Sequence, residues 1–344
     1  MSTIAMGRRG GLPTWGLVLG VAMILEIVYF SLTNHNFFGH GTGLLGQVEL
    51  FLPTGILAVG LAVVVLTGNI DLSAGSVASL SSVIVGKELL AGHGIAAAVL
   101  VAVGVSALVG LVNGVIVALA GIDSLLVTLA TQFIAGSVAV SLAGDSPPQG
   151  FPHAFTRLGS GRLAGVPVSL VIFLAIGILT AVMVTRTGFG RRLVLIGHNA
   201  AAARYSGVRV PRTLIGVFTF SGLVAGIGGV TLAAYYNAGR ADSGMALLLP
   251  AITCVVLGGV DIFGGNGRVG EVIVAVLLLG LLTQGMLNSG YSSLTTTMVT
   301  GLLLIVGLVI KIAFEKQSEQ SILAAIADRL RGLISSGGGA RREA

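Results

Sequence analysis

Residues 186–212 read RTGFGRRLVLIGHNAAAARYSGVRVPR, and this stretch decides how the rest of the chain must be arranged. It holds six arginines and no acid, whereas the apolar runs on either side hold almost no charge. Loops rich in lysine and arginine stay on the cytoplasmic side of a membrane, so the stretch predicts a cytoplasmic loop. Asn199 is suited to cap a helix, residues 200–205 are mostly strong helix formers, and Gly207 can adopt the left-handed turn that ends a helix.

Two roles are open for this short helix. Its arginines could do no more than hold the loop in the cytoplasm. Alternatively, the helix is a docking element for a partner, because a helix of two turns is marginal alone in water and gains stability by packing.

The composition predicts an all-α integral membrane protein. Of the 344 residues, 54% are hydrophobic and 9% are charged, whereas soluble proteins carry about 25% charged residues. The net charge is +6, and the basic residues lie between apolar runs instead of on one face, which favours anionic lipid over nucleic acid as the partner. The single cysteine, Cys254, excludes an intramolecular disulfide.

Apolar runs of about 20 residues, all but the first free of charged residues, predict the transmembrane helices. The first eight runs are 15–32, 50–70, 72–86, 89–122, 124–144, 163–185, 213–239 and 243–260. The next, 272–310, is too long for one helix and is divided by a turn, Asn288-Ser289-Gly290. The run 72–86 is short and rich in serine and glycine, so it could be a full span or a broken half-helix.

Charge decides how many of these runs cross. If Arg8, Arg9 and the loop 186–212 all lie inside, an even number of crossings must separate them, so 72–86 is counted. The prediction is about ten transmembrane helices with both ends in the cytoplasm and the segment 145–165 outside. The domains are then a cytoplasmic N-terminal segment 1–14, a transmembrane domain 15–312 and a cytoplasmic tail 313–344.

Small residues predict where the helices pack closely. Gly110-xxx-Gly114 and Gly222-xxx-Gly226 each place two glycines on one face of an apolar helix, which is the pattern of close helix contacts in membranes.

Polar residues within the apolar runs are the candidate site residues. Asp71, in TGNIDLSAG, follows Asn69 at a predicted helix break, and Asp261 lies in a related phrase, LGGVDIFGG. Each aspartate could cap the helix that follows it or contact a substrate. The similarity between the two phrases hints at a duplicated half. Three further side chains could line a translocation path or bond to neighbouring helices: Asn113, Thr128 and Gln132.

No catalytic or metal-binding pattern stands out. The sequence has no G-x-x-x-x-G-K-[ST] phosphate loop and no H-E-x-x-H. We therefore expect no enzyme activity, no catalytic residues, no metal site and no cofactor on this chain. Any ATP and Mg²⁺ would be bound by another chain.

Four linked runs carry a family resemblance: VVVLTGNIDLSAGSV, GLVNGVIVALAGIDSLLVTLA, GFGRRLVLIGHNAAAARYSGV and VVLGGVDIFGGNGRVGEVIVAVLLLGLL. They resemble the permease subunits of monosaccharide ABC importers of the ribose, xylose and galactose type. The resemblance implies a bacterial inner-membrane protein with the vitamin-B12-importer-like (type II) permease fold. It further implies a second permease copy, identical or related, a separate ATPase, and a periplasmic or extracellular sugar-binding protein.

The resemblance also implies that residues 199–207 are the coupling helix, with Asn199, Ala202, Arg204 and Gly207 at the ATPase. The chain departs from the family pattern at Asn69, where a second glycine is common, and at His198, where a paired glycine is common. These departures leave the solute unassigned between sugars, a signalling furanosyl compound and a polyol. The alternative function is an ion-coupled secondary transporter of a small neutral solute, which would call for acids or histidines in mid-span.

Overall fold

The computed structural model describes residues 14–33 and 49–309. Nearly all of the predicted N-terminal segment 1–14 and the whole predicted tail 313–344 lie outside the described residues. The chain divides into two compact units, the first ending at Thr300 and the second beginning at Gly301. Every site described below belongs to the first unit.

Helices form nearly all of the ordered structure in the described residues. They are α1 (Thr14–Thr33), α2 (Leu52–Val65, after a 3-10 turn Glu49–Phe51), α3 (Ala74–Leu90), α4 (Ile95–Val115, continued by a π-helical turn Ile116–Ala120), α5 (Ser124–Ala143), α6 (His153–Ser160), α7 (Val168–Arg186), α8 (Gly188–His198), α9 (Ala200–Tyr205), α10 (Val210–Tyr236), α11 (Met245–Leu257), α12 (Val269–Asn288) and α13 (Ser293–Val309). A two-residue antiparallel ribbon, β1 (Arg162–Leu163) with β2 (Val166–Pro167), precedes α7.

Six of the described helices are long and apolar enough to cross a membrane: α1, α4 with its π-helical turn, α5, α7, α10 and α12. Three shorter apolar helices accompany them, namely Glu49–Val65, Met245–Leu257 and Ser293–Val309. A helical architecture with several helices able to cross a membrane, as the composition predicts, is therefore what the described residues show.

The centre of the first unit is α2. Every residue of this helix is buried, including Leu52, Ile56, Leu57 and Leu61. A helix that is apolar on all sides is stable only when other helices surround it, and α7, α10, α11 and α12 do so here. The helix therefore holds its C-terminal end, where the site begins, in a fixed place.

The two predicted glycine pairs pack against each other. A Cβ on Gly110 would lie about 3.1 Å from the Cα of Gly222, and one on Gly226 would lie 2.7 Å from the Cβ of Ser106. Gly114 likewise meets Ile215. Helices α4 and α10 thus approach backbone to backbone, which confirms the predicted role of these glycines and adds their pairing.

The structure corrects two segments. The predicted span 163–185 begins too early, because Gly165, with φ +85°, turns the ribbon and helix α7 begins only at Val168. The predicted outer segment 145–165 contains the unpredicted helix α6, whose Phe155 is fully buried against α10. Two buried phenylalanines, Phe151 and Phe155, in a polar segment rich in glycine and proline were too weak a signal for that helix.

The short run 72–86 forms one unbroken helix, α3, of 17 residues. At 1.5 Å per residue it is about 25 Å long, slightly less than the hydrocarbon thickness of a bilayer. The break lies before it, over residues 66–73, where Gly68 takes φ +74°. The sequence prediction of an unwound segment at Asp71 is confirmed.

Candidate functional site

The arginine-rich stretch folds into two helices instead of the one expected. Thr187 begins α8, because its hydroxyl accepts hydrogen bonds from the backbone N–H groups of Phe189 and Gly190. Two glycines in the first turn, Gly188 and Gly190, concealed this helix from sequence reasoning. The signal that could have revealed it was the N-cap preference of Thr187.

The second helix, α9, has the predicted ends. The side-chain Oδ1 of Asn199 accepts a 2.9 Å hydrogen bond from the N–H of Ala202. At the other end Gly207 has φ +83° and donates its N–H to the carbonyl of Arg204 at 3.0 Å. Asn199 is therefore the N-cap and Gly207 the terminating turn, as predicted.

One side of α9 is anchored and the other is open. Ala203 is buried against Ile196 of α8 and Val210 of α10. Ala202, Arg204 and Tyr205 are exposed, with Tyr205 94% exposed. A helix of six residues gains little stability by itself, so the packing of Ala203 holds α9 in place and leaves its other side exposed.

Three distant segments meet beside α9 at a cluster that we call the glycine junction: Leu66, Gly68, Gly197, Gly264 and Gly265. The N–H of Gly265 donates to the carbonyl of Leu66 at 2.9 Å. A Cβ on Gly264 would lie 2.7 Å from the Cα of Gly68 and 3.0 Å from the Cα of Gly197. The junction therefore joins the end of α2, the end of α8 and the loop before α12, and it brings the two similar phrases of the sequence together.

A buried hydrogen-bonded group, the Asp71 cluster, lies on the other side of the break: Asp71, Ser73, Asn113, Thr131 and Ser221. Oδ1 of Asp71 accepts from the N–H of Ser73 at 3.0 Å and from its hydroxyl at 2.6 Å. The Ser221 hydroxyl donates to Oδ2 at 2.7 Å. Both carboxylate oxygens are thus occupied, so Asp71 secures the start of α3 and reaches α10.

The cluster continues from Ser73 towards α5. The amide of Asn113 donates to the Ser73 hydroxyl at 3.0 Å, and the Thr131 hydroxyl donates to Oδ1 of Asn113 at 2.6 Å. Buried polar groups are costly unless paired, and each of these side chains has a partner. The hydrogen bonds of this cluster connect four helices: Asp71 links the start of α3 to α10, and Ser73 and Asn113 extend the network to α4 and α5.

Thr128 and Asn69 also form hydrogen bonds within the break at residues 66–73. The Thr128 hydroxyl accepts the N–H of Leu72 at 3.1 Å and donates to the carbonyl of Ser124 at 2.7 Å. Asn69 donates its amide to the Thr67 hydroxyl at 2.9 Å. Of the residues predicted to form the break or the path, these two, with Asp71 and Asn113, belong to the hydrogen-bonded structure around residues 66–73.

Gln132 differs from those four because it lines a cavity. The cavity measures about 480 Å³ and runs along α5, and it is lined by Gln132, Phe133, Gly136, Ser137, Val140, Ser141, Ala241, Asp242 and Met245. An adjoining cavity of about 400 Å³ shares Val140, Ala241 and Asp242. Amide, hydroxyl and carboxylate groups spaced along an otherwise apolar wall suit weak contact with a small hydroxylated solute.

Asp242, which lines both cavities, forms an ion pair with Arg240, which lines the smaller one. Arg240 donates through Nε to Oδ1 of Asp242 at 3.2 Å and through an Nη to Oδ2 at 3.0 Å. These hydrogen bonds hold the pKa of Asp242 below its ordinary value. Sequence reasoning singled out neither residue, nor Ser73 and Ser221, because a lone polar residue in a loop or on an apolar helix is an ordinary occurrence.

Among residues 14–33 and 49–309, no three His, Cys, Asp or Glu side chains gather as a candidate metal site.

Comparison with known proteins places these features in a family. The profile of the branched-chain amino acid transport system permease components matches residues 44–308. The autoinducer 2 import system permease protein LsrD of Yersinia enterocolitica is 38% identical over 304 residues, covering 87% of this chain and 91% of that protein. The protein of the same name from Yersinia pestis (strain Pestoides F) is 36% identical, covering 87% and 90%.

A solved structure shares the fold. It is described as an inward-facing conformation of a metal-chelate type ABC transporter, with a TM-score of 0.50 and 14% identity, covering 88% of this chain and 99% of that one. These matches confirm the resemblance to ABC importer permeases that the four sequence runs indicate.

Proposed function

The chain belongs to the family of branched-chain amino acid transport system permease components, and from that premise we propose that it is the permease of an ABC importer for a monosaccharide-like solute. The multi-pass helical architecture agrees with this role. Membership of the family favours this function over an ion-coupled secondary transporter.

The solute we propose is a small polyhydroxy compound of the autoinducer 2 or monosaccharide class. The observation that carries the proposal is the 38% identity to an autoinducer 2 import permease over 87% of this chain. The cavity wall agrees with it, because Gln132, Ser137 and Ser141 offer neutral hydrogen-bonding groups. A branched-chain amino acid would call for paired charges for its ammonium and carboxylate, and the one acid that lines either cavity, Asp242, is already bound to Arg240.

The coupling element of this importer is α9. Asn199 and Gly207 fix its two ends, and Ala202 and Arg204 lie on its exposed side, where the ATPase would grip it. ATP and Mg²⁺ would bind to that partner. Movement of α9 would pass to α10, which follows it in the chain, and through Gly197 to the glycine junction and the break before α3.

The wider assembly follows from the same proposal. The chain would cross the bacterial inner membrane ten times in the type II permease arrangement, with both termini and residues 186–212 in the cytoplasm. A second permease copy, identical or related, would complete the path at which Gln132 lies. A periplasmic or extracellular binding protein would deliver the solute, and alternating access would carry it across without covalent chemistry.

Uptake by the reconstituted importer tests this function. With the ATPase and the binding protein present, vanadate should stop uptake of a radiolabelled solute. Unlabelled autoinducer 2 or ribose should compete for uptake and leucine should not; competition by leucine alone would refute the proposed solute class.

Ala202→Glu should abolish uptake and ATPase coupling while leaving insertion intact. Ala154→Glu, an exposed alanine on α6, is the matched control.

A further inference from the structure

The loop between α11 and α12 displays an aromatic side chain in a fixed position. Phe263 is 88% exposed. Its N–H donates to Oδ1 of Asp261 at 3.0 Å, and the N–H of Asp261 donates to the carbonyl of Asn266 at 2.9 Å. Gly264, with φ +88°, follows it directly and donates its N–H to the carbonyl of Asp261. The turn is therefore closed by its own hydrogen bonds, and Phe263 is held outward by it.

The sequence suggested another role for this aspartate. Asp261, like Asp71, could have capped the helix that follows it, but α12 begins only at Val269, and Asp261 instead caps the turn that carries Phe263. Asp261 thus shapes a surface loop.

This loop adjoins the base of α9. A Cβ on Gly68 would lie 2.9 Å from the carbonyl oxygen of Phe263. One on Gly265 would lie 2.7 Å from Cε1 of the His198 ring, and His198 immediately precedes Asn199. Phe263 and Asn199, the N-cap of the coupling helix, are therefore both attached to the glycine junction.

The surroundings of Phe263 are those of an exposed protein surface. The loop also carries exposed Asn266 and Arg268, and the six arginines of residues 186–212 are all exposed. Aromatic and arginine side chains are the groups that contribute most to protein interfaces, and Tyr205 provides a second exposed aromatic at the end of α9. The charge of this surface calls for a partner bearing acidic groups.

We propose that Phe263 is a second contact for the ATPase subunit, beside α9, and that it enters an apolar pocket bordered by acidic side chains. This inference rests on the proposed function, because it takes α9 as the docking helix. The ATPase would then contact two segments of the glycine junction. It would reach the end of α8 by way of α9, and the loop before α12 by way of Phe263. Movement of the ATPase would then act directly on the backbone contacts of the glycine junction.

Affinity for the ATPase subunit tests the inference. Phe263→Ala should weaken binding to the permease in nanodiscs about tenfold, and Phe263→Trp should preserve it, since aromatic anchors dominate such interfaces. Leu163→Ala is the matched control, because Leu163 is 64% exposed and precedes α7 at the end opposite Arg186. A dissociation constant for Phe263→Ala within about twofold of that of the unaltered chain would overturn the inference.

Ala202→Glu separates this inference from the proposed function. If it abolishes binding while Phe263→Ala leaves binding unchanged, the second contact is refuted and the docking role of α9 stands. If both variants bind normally, both proposals fall. Phe263 is too exposed to support the fold, so the thermal unfolding midpoint of the permease alone should not change in Phe263→Ala.

A label at position 263 gives an independent measurement. Cys254, the single cysteine, is fully buried, so a thiol-reactive fluorophore will label Phe263→Cys selectively. Addition of the ATPase should shift its emission to the blue. Quenching by brominated lipid with no response to the ATPase would show instead that Phe263 lies in the bilayer interface, which would also overturn the inference.

Discussion

The hydroxyl of Ser221 donates a 2.7 Å hydrogen bond to Oδ2 of Asp71, although 150 residues separate the two in the chain. Ser221 lies on α10, the helix that follows α9, and Asp71 lies in the break before α3. The bond therefore connects the helix that would move with the ATPase to the segment whose backbone is already unwound.

Asp71→Asn should impair folding or transport. The amide turns one acceptor into a donor that faces the Ser221 hydroxyl, and hydrogen bonds to charged groups contribute about 1.5–3 kcal/mol each. Thermal unfolding in detergent and solute uptake would measure the loss. Asp123→Asn is the control, because Asp123 is exposed and caps α5, where asparagine caps equally well. Two variants that behave alike would show that the Asp71 cluster contributes nothing specific.

Gly110→Ala should destabilise the permease by about 1–3 kcal/mol, because the new methyl group would meet the backbone of α10. Gly104, on the same helix, has open space at its Cβ. Gly104→Ala should therefore be neutral or stabilising by about 0.5–1 kcal/mol. Unfolding midpoints of the two variants in one detergent would check the contrast, and equal effects would exclude close packing as the cause.

Gly197→Ala should uncouple transport from ATP hydrolysis. A methyl group there would lie 2.9 Å from the Cα of Gly265, so the glycine junction would have to open. We expect uptake to fall at least about tenfold, whereas binding of the ATPase should weaken no more than in Phe263→Ala, since α9 itself is untouched. Gly270→Ala, where the added methyl meets no atom within 4 Å, should transport normally. Full uptake by Gly197→Ala would remove the junction from the coupling route.

Gln132→Ala should slow uptake at saturating binding protein by a few-fold, because it removes a neutral hydrogen-bonding group from the cavity wall. Basal ATP hydrolysis should be unchanged, since the residue lies away from α9. Ile134→Ala is the control: Ile134 is 65% exposed on the same helix and does not line the cavity. Equal uptake by both variants would argue against a path along this face of α5.

Asp242 should stay ionised throughout the physiological range. The hydrogen bonds from Arg240 lower the pKa of the Asp242 carboxyl below its ordinary value. The ion pair is therefore fully present above that ordinary pKa and is lost only as the pH falls through the lowered pKa. The ratio of uptake by Asp242→Asn to uptake by the unaltered chain should therefore be constant from about pH 5 to 8. A ratio that changes within that interval would show that Asp242 titrates there.

The sequence predicted the roles of some site residues and left those of others open, for a physical reason. Short-range signals sufficed for Asn199 and Gly207, because capping depends on residues within one turn. Asn113 and Thr128 could equally have lined a path or bonded to other helices, and the geometry places them in hydrogen bonds around the break. Ser221 carried no signal, because its partner is distant in the chain.

The sequence alone determined that the chain is a helical membrane protein, that its backbone breaks at Asp71, and that a short helix follows Asn199. These properties depend on hydrophobicity, charge and capping, which act over a few residues. Only the tertiary structure decided which glycines face each other, that Gly197 meets Gly264, and that the hydrogen bonds of the Asp71 cluster connect four helices. Such contacts arise when packing brings remote segments within a few ångströms of each other. The local sequence of one segment does not identify the segment that it contacts.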